Sequence, residues 1–367
     1  MNCMVQVRRF ALIALLLLLV VGTGAMIFSE PHNPVPAPLA GRAGSYTSFG
    51  DSISTCSHPS SQLTCYVDML AAEFNLPVTK RAVAGSQAAD QADAIYSTVV
   101  SSSGRPLYTY MVGTNDNWIY GTNPIRQGVF QSADLAELAW LAIPESHKIR
   151  GQSGEIAYRG HWANSEYYGG SLGKVSNSYD SKAKVSVYGS TVYVGITIQD
   201  LNQGAFTLTV DGGSLISYSA SAGAGANIAT HLGRTYAPRL IRISHLVEGR
   251  HTIVLSVTSD SSETNRVWLD WVAGVSGVRQ QWPLVIAGGV LPNSGFPELA
   301  TTAYSNIVVR NVAMLRRDGL NVSFAETPDI NIKTDLFRAD GVHPIDSGFA
   351  KLFRAFDVSF RNSVPGY

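Results

Sequence analysis

"SYTSFGDSIS", residues 45–54, is an apolar, strand-like run that ends abruptly in Gly-Asp-Ser. Those three residues are ordinary turn formers, so a surface turn is one reading. The other is a serine held at the carboxyl end of a sheet strand, ready to attack an acyl group. The surrounding sequence has to choose between them. Downstream, "QLTCYVDMLAAEF" sets Leu63, Val67, Leu70 and Ala71 at helical spacing, and the Ala-rich "QAADQADAIYSTVV" follows. Then come the apolar strand "PLYTYMVG" and the helix "QSADLAELAWLAI". Strand and helix in alternation predict a parallel sheet covered on both faces.

From Gly151 to about Gly277 the rhythm changes. Apolar residues alternate at Val192, Val194, Ile196 and Ile198, then Phe206, Leu208 and Val210, then Ile253, Leu255 and Val257, then Val267, Leu269 and Trp271. Period two, broken by turns such as "DGG" at 211–213, predicts an antiparallel sandwich with one wet face per sheet. Trp268 and Trp271 fall in a strand pattern and are assigned partly to its core. The α/β rhythm then resumes with "WPLVIAGGV", a helix closed by Gly319, the strand "NVSFAETP" and a last helix "SGFAKLFRAFDVSF". The expected organisation is one α/β domain built from residues 45–150 and 278–367, interrupted by an all-β sandwich at 151–277. Exposed loops tolerate such insertions.

Arg8 and Arg9 precede an unbroken apolar run from Phe10 to Val21 and the small residues Gly22 to Ala25. Residues 1–28 therefore read as an export signal, cleaved after Ala25, or as a retained membrane anchor, and the Pro-rich stretch 29–44 reads as a linker. Either way the rest of the chain is expected outside the cytoplasm. Cys3 belongs to that segment. Cys56 and Cys65 lie nine positions apart, so a disulfide is expected between them in an oxidising compartment, with two buried free thiols as the alternative. Lys+Arg and Asp+Glu are both 27, and charged residues make up only 15%. No positive field is available to hold a polyanion, which argues against nucleic acid as a partner. No H-x-x-x-H or clustered Cys/His spacing suggests a metal site, and no cofactor is expected.

Acyl transfer by serine needs a base in hydrogen-bond reach, a carboxylate to orient it, and donors for the oxyanion. His343 stands in "RADGVHPIDSGFAKLF", three residues after Asp340. A D-x-x-H turn can bring the carboxylate to Nδ1 and leave Nε2 for a nucleophile. Alone, the same spacing also describes a plain turn or a metal ligand. "GGSLG", residues 169–173, formally matches a G-x-S-x-G elbow around Ser171, but it lacks the strand before and the helix after that the motif requires.

"FGDSIS" with Ser52, "AVAGSQ" with Gly85, "VGTNDNW" with Gly113 and Asn115, and "DGVHP" with Asp340 and His343 occur together in this order. In these motifs the first domain resembles the SGNH (GDSL-like) hydrolase family. The resemblance implies a flavodoxin-like three-layer α/β/α domain with a parallel sheet. It also implies Ser52 as nucleophile, His343 as general base, Asp340 as its orienter, and an oxyanion hole from the N–H groups of Ser52 and Gly85 with the Asn115 amide. Asp51 is assigned to the turn as a capping residue. The insert resembles the galactose-binding-like sandwiches that serve as carbohydrate-binding modules. Trp118, Trp162, Tyr167 and Tyr168 are the aromatic candidates for holding a sugar, with packing at the domain junction as the alternative for the insert's three. The expected activity is an exported esterase that removes acyl groups, acetyl above all, from a carbohydrate. A lipase, a thioesterase or a glycan O-acyltransferase would use the same triad; a silent surface carbohydrate-binding protein is the reading from another class.

Overall fold

The computed structural model describes residues 43–60, 64–98, 105–200, 203–259, 264–276, 283–295, 298–327 and 330–364. The expected export segment, Cys3, most of the linker and Leu63 lie outside these residues. Among the described residues no helix is long and apolar enough to cross a membrane.

The chain begins with β1 (Ala43–Gly50), α1 (Tyr66–Glu73), β2 (Val78–Lys80), α2 (Ala88–Tyr96), β3 (Arg105–Met111), α3 (Thr114–Tyr120) and α4 (Pro124–Ala142). Twelve strands of the sandwich follow, the first lying just ahead of the expected boundary at 151: β4 (Lys148–Arg150), β5 (Ala157–Arg159), β6 (Ala163–Asn164), β7 (Lys174–Ser176), β8 (Lys182–Gly189), β9 (Thr191–Gln199), β10 (Ala205–Val210), β11 (Ile216–Ser219), β12 (Tyr236–Ile243), β13 (Gly249–Val257), β14 (Val267–Leu269) and β15 (Trp271–Val275). The chain then returns through β16 (Leu284–Gly288), α5 (Glu298–Asp318), β17 (Val322–Ala325) and α6 (Asp346–Ser363).

Strands β2, β1, β3, β16 and β17 lie side by side in that order, all parallel. This is the flavodoxin-like order, in which the chain steps outward from β1 to β2 and then crosses back to β3. The loops leaving β1 and β3 therefore part at the carboxyl edge and open a crevice between them. Alternation along the strands supplies both faces. Tyr46, Leu107, Met111, Leu284 and Ile286 pack against α1 and α6, whose Phe349, Leu352, Phe356 and Phe360 form a single stripe. Phe49, Tyr108, Tyr110, Val285 and Ala287 face the opposite layer of α2, α4 and α5.

The insert forms a five-stranded sheet (β11-β10-β13-β8-β5), a four-stranded sheet (β12-β9-β15-β4) and a small three-stranded one (β14-β7-β6). The expectation of one wet face per sheet fails for the four-stranded sheet. Strand β9 is buried at every position from Thr191 to Ile198. Val192, Val194, Ile196 and Ile198 face the sandwich interior, while Tyr193 joins the α/β core. The covering comes from α2 and α4, which pack on β12. Trp140 of α4 meets Trp271 edge-on at 5.4 Å, and Trp271 lies so close over Gly195 that a Cβ there would stand 2.2 Å from its Nε1. Trp268 and Trp271 are thus fully buried. Tyr168 is buried too, edge-on to Tyr96 of α2 at 4.9 Å.

Several carboxyls lie in this interior. Asp134 accepts from Asn311 Nδ2 at 2.7 Å, Asp270 from Thr197 Oγ1 at 2.9 Å, and Asp116 from the Ala88 N–H at 2.9 Å. Burial pushes Asp116 up to about 8, and Asp134 and Asp270 to about 7. Each is raised above its unfolded value of about 4, so its contribution to stability is complete below that pH and is lost as pH climbs through the folded value. Lys148, lowered by burial to about 7, gains stability only above that pH, so it offsets little below it. The unfolding free energy in urea should therefore fall between pH 5 and pH 7, and Asp134→Asn should flatten the slope. A level or rising stability over that interval would overturn the assignment.

Candidate active site

Gly50 ends β1 with φ at +150°, and a Cβ there would lie 2.4 Å from the Met111 carbonyl oxygen and from Ser54 Oγ. Only glycine lets the strand turn this tightly against β3. Beyond it the chain coils. Ser54 and Thr55 donate their N–H groups to the Asp51 carbonyl, and the Asp51 side chain accepts the Ile53 N–H at 3.0 Å. Asp51 is wholly buried under this turn, where burial, partly countered by the Ile53 N–H and by His343, pushes its carboxyl up to about 6. Ser52 stands half-buried at the start of the coil.

The turn before α2 is tied to the same point. Val83 N–H and Ser86 Oγ both donate to the Gly50 carbonyl, at 2.9 and 3.2 Å, and Gln91 Nε2 holds Ser86 Oγ at 2.8 Å. Gly85 sits in this turn at φ +78°. After β3, Gly113 adopts φ +109°, with Val290 only 2.6 Å from where a Cβ would stand, and α3 begins. Asn115, in the first turn of α3, donates one Nδ2 hydrogen to the Ser86 carbonyl at 2.9 Å. That bond holds the amide beside the Gly85 turn and leaves its second N–H free to reach a ligand. Among the described residues, the N–H groups of Ser52 and Gly85 have no hydrogen-bond acceptor in the protein.

The last component comes from the loop before α6. Phe337 N–H donates to the His343 carbonyl at 2.7 Å, and Ile345 N–H to the Asp335 carbonyl at 2.9 Å, which folds residues 335–345 into a closed hairpin-like turn. Within it, Asp340 Oδ2 meets His343 Nδ1 at 2.8 Å, while Oδ1 accepts the N–H groups of Val342 and His343. Partial burial works to raise the Asp340 carboxyl, but those two donors and the imidazole outweigh it and hold the group below its usual range. His343 Nε2 lies 2.8 Å from Ser52 Oγ, across 291 positions of chain. Hydroxyl, imidazole and carboxylate thus form one continuous hydrogen-bonded series, able to move a proton off the serine.

The other candidates fall elsewhere. Trp162 donates to the Arg159 carbonyl and packs on Tyr158; Tyr167 stacks on Tyr236 at 3.8 Å. Tyr168, buried between Tyr96 and Tyr236, is closed to any ligand, which corrects its assignment to an exposed sugar-binding segment. The cover supplied by α2 is the reason. Trp118 is 59% exposed on α3, one turn beyond Asn115. Ser171 follows a single 3-10 turn, Tyr168–Gly170, and not a sheet strand. Cys56 and Cys65 form a disulfide with their Cα atoms 5.6 Å apart.

Sequence reasoning missed His58. It stacks on Phe337 at 4.6 Å, meets His343 edge-on at 5.3 Å, and sets Nε2 3.9 Å from Asp340 Oδ2. His58, Asp340 and His343 together bring three potential ligand atoms within 4.8 Å of one another. Two of those groups already hold each other in the triad series. No sequence pattern marks His58, because its neighbours come from a loop at the other end of the chain.

No family model matches the chain, and no curated protein matches it. Solved structures do. A member of the lipolytic protein G-D-S-L family from Veillonella parvula is 11% identical, with a TM-score of 0.41, covering 87% of this chain and 100% of that one. A two-domain esterase active on acetylated mannans is 11% identical, with a TM-score of 0.36, covering 64% and 91%. A family 35 carbohydrate-binding module from Clostridium thermocellum is 14% identical, with a TM-score of 0.26, covering 34% and 96%. In its own sheet order this chain is a flavodoxin-like parallel α/β domain interrupted by an all-β sandwich, with Ser52, Gly85, Asn115 and His343 gathered at the sheet's carboxyl edge as the resemblance to the SGNH (GDSL-like) hydrolases implies.

Proposed function

We propose that the protein is an exported serine esterase that removes acyl groups, acetyl above all, from a carbohydrate. The observation that carries this reading is the series Ser52 Oγ to His343 Nε2 to Asp340, each link 2.8 Å long, with the Asn115 amide held beside the Gly85 turn. Ser52 Oγ attacks the ester carbonyl as its proton passes to His343 Nε2. The negative oxygen of the tetrahedral intermediate accepts from the Ser52 and Gly85 N–H groups and the Asn115 amide. Collapse expels the sugar hydroxyl, which takes the proton from His343, and leaves an acyl-serine. His343 then deprotonates water, which attacks the acyl carbon; the carboxylic acid departs and Ser52 recovers its proton. Asp340 keeps Nδ1 protonated and stabilises the imidazolium formed in each half.

The carbohydrate part of this reading is supported by the resemblance of the insert to carbohydrate-binding sandwiches and by the exposed aromatic surface at Trp118. Export is supported by the N-terminal segment and by the Cys56–Cys65 bridge, which persists in oxidising compartments.

Acetate release from acetylated xylan, peptidoglycan and exopolysaccharide, together with p-nitrophenyl acetate turnover, tests the reading. Ser52→Ala and His343→Ala are each expected to lower kcat by roughly 10⁴-fold or more, and Asp340→Asn by roughly 10²- to 10⁴-fold. Turnover retained by either of the first two variants removes that residue from its role. Asn115→Ala is expected to lower kcat by about 10²- to 10³-fold with KM little altered, the mark of a contact made in the transition state. A loss confined to KM would instead make Asn115 a ground-state binding residue.

A further inference from the structure

A loop of the insert reaches the oxyanion side of the site. A Cβ built on Gly85 would stand 3.3 Å from Cδ2 and 3.8 Å from Nε2 of His231, and 3.9 Å from Cδ2 of Leu232. Both residues belong to the loop between β11 and β12. The loop is pinned on the α/β domain. His231 N–H donates to Gln87 Oε1 at 2.8 Å, Thr230 Oγ1 to Asp90 Oδ1 at 2.7 Å, Arg234 to Asp93 at 2.5 Å, and Tyr120 OH to the Ile228 carbonyl at 3.2 Å. It also closes on itself, with Thr230 N–H donating to the Arg234 carbonyl and Gly233 N–H to the Thr230 carbonyl.

The His231 and Leu232 side chains are nevertheless exposed, Leu232 by 50%. Neither ring nitrogen of His231 has a hydrogen-bond partner in the protein among the described residues. The second wall is Trp118, its ring 6.1 Å from that of His231 and tilted by 38°. Each aromatic stands next to one oxyanion donor, His231 over Gly85 and Trp118 one helical turn from Asn115. An exposed indole offers an apolar face to the C–H side of a pyranose, and an imidazole offers one donor and one acceptor to its hydroxyls. The backbone that carries His231 is fixed before a ligand docks, so no loop has to be ordered at that wall.

We propose that His231, from the insert, and Trp118, from the α/β domain, together form the subsite that holds the sugar ring bearing the ester. This deepens the esterase reading and rests on it. The insert is then part of the active-site wall, and it sets specificity directly.

The test is steady-state kinetics of the full protein and of His231→Ala and Trp118→Ala, on p-nitrophenyl acetate and on whichever acetylated glycan of the panel the wild type cleaves best. Each variant is expected to lower kcat/KM on the glycan by about tenfold more than on p-nitrophenyl acetate, with the difference in KM. His231→Gln, which keeps a donor and an acceptor, should recover part of the loss. Equal losses on both substrates, or none on either, overturn the subsite. Wild-type turnover of p-nitrophenyl acetate without release from any glycan overturns the carbohydrate reading and the subsite with it. A wild type inactive on p-nitrophenyl acetate overturns the esterase reading itself.

Discussion

The nucleophile and oxyanion side of this site depends on the backbone of one residue, Gly50. Its N–H donates to Gln91 Oε1, and its carbonyl accepts from Val83 N–H and Ser86 Oγ. The next residue, Asp51, donates its N–H to the Met111 carbonyl. Three segments distant in sequence are thereby referenced to the end of a single strand: the coil that carries Ser52, the turn that carries Gly85, and the end of β3, which leads into the helix that carries Asn115. Acyl transfer demands donors fixed before the charge develops, because reorganising them during reaction would cost what they contribute. A strand end clamped from several sides meets that demand without rigidifying the whole molecule.

The α/β half was legible because its signals are local. "PLYTYMVG" and "WPLVIAGGV" are apolar without alternation, as strands buried on both faces must be, and Gly319 closes α5 where its periodicity stops. The D-x-x-H spacing likewise encodes its own geometry, since Asp340 and His343 meet within one turn. What the sequence did not disclose was tertiary. Strand β9 reads as half-wet because Tyr193, Gly195 and Thr197 look like an outer face, yet α2 and α4 cover it. Tyr168 reads as exposed in its Gly-rich setting for the same reason. His58 and His231 carry no pattern at all. Each gains its meaning from a neighbour, Asp340 or Gly85, far away in the chain.

The junction between the two parts has the character of an interior. Tyr193, Trp271, Ala273 and Val275 of the insert share one apolar cluster with Phe130, Leu138 and Tyr304 of the α/β domain. Around that cluster run polar ties: Arg234 to Asp93, and Arg242 and the Tyr193 hydroxyl to Asp318. Removing the sandwich would bare Trp140 of α4 and Tyr96 of α2, where a carbohydrate-binding module on a flexible tether would leave its neighbour intact.

The insert also separates β3 from β16, which must pair across the whole of it to complete the central sheet. Its two ends, however, are zipped together: β4 runs antiparallel to β15, with Lys148 opposite Ala273 and Arg150 opposite Trp271. Once that pair has formed, the loop that β3 and β16 have to close shrinks to the α3–α4 segment on one side and the short approach to β16 on the other. The entropic penalty for a non-local contact grows with the span it closes. A sandwich assembled first acts as a clasp, so that the most distant pairing in the sheet is reached as though its partners were near neighbours in the chain.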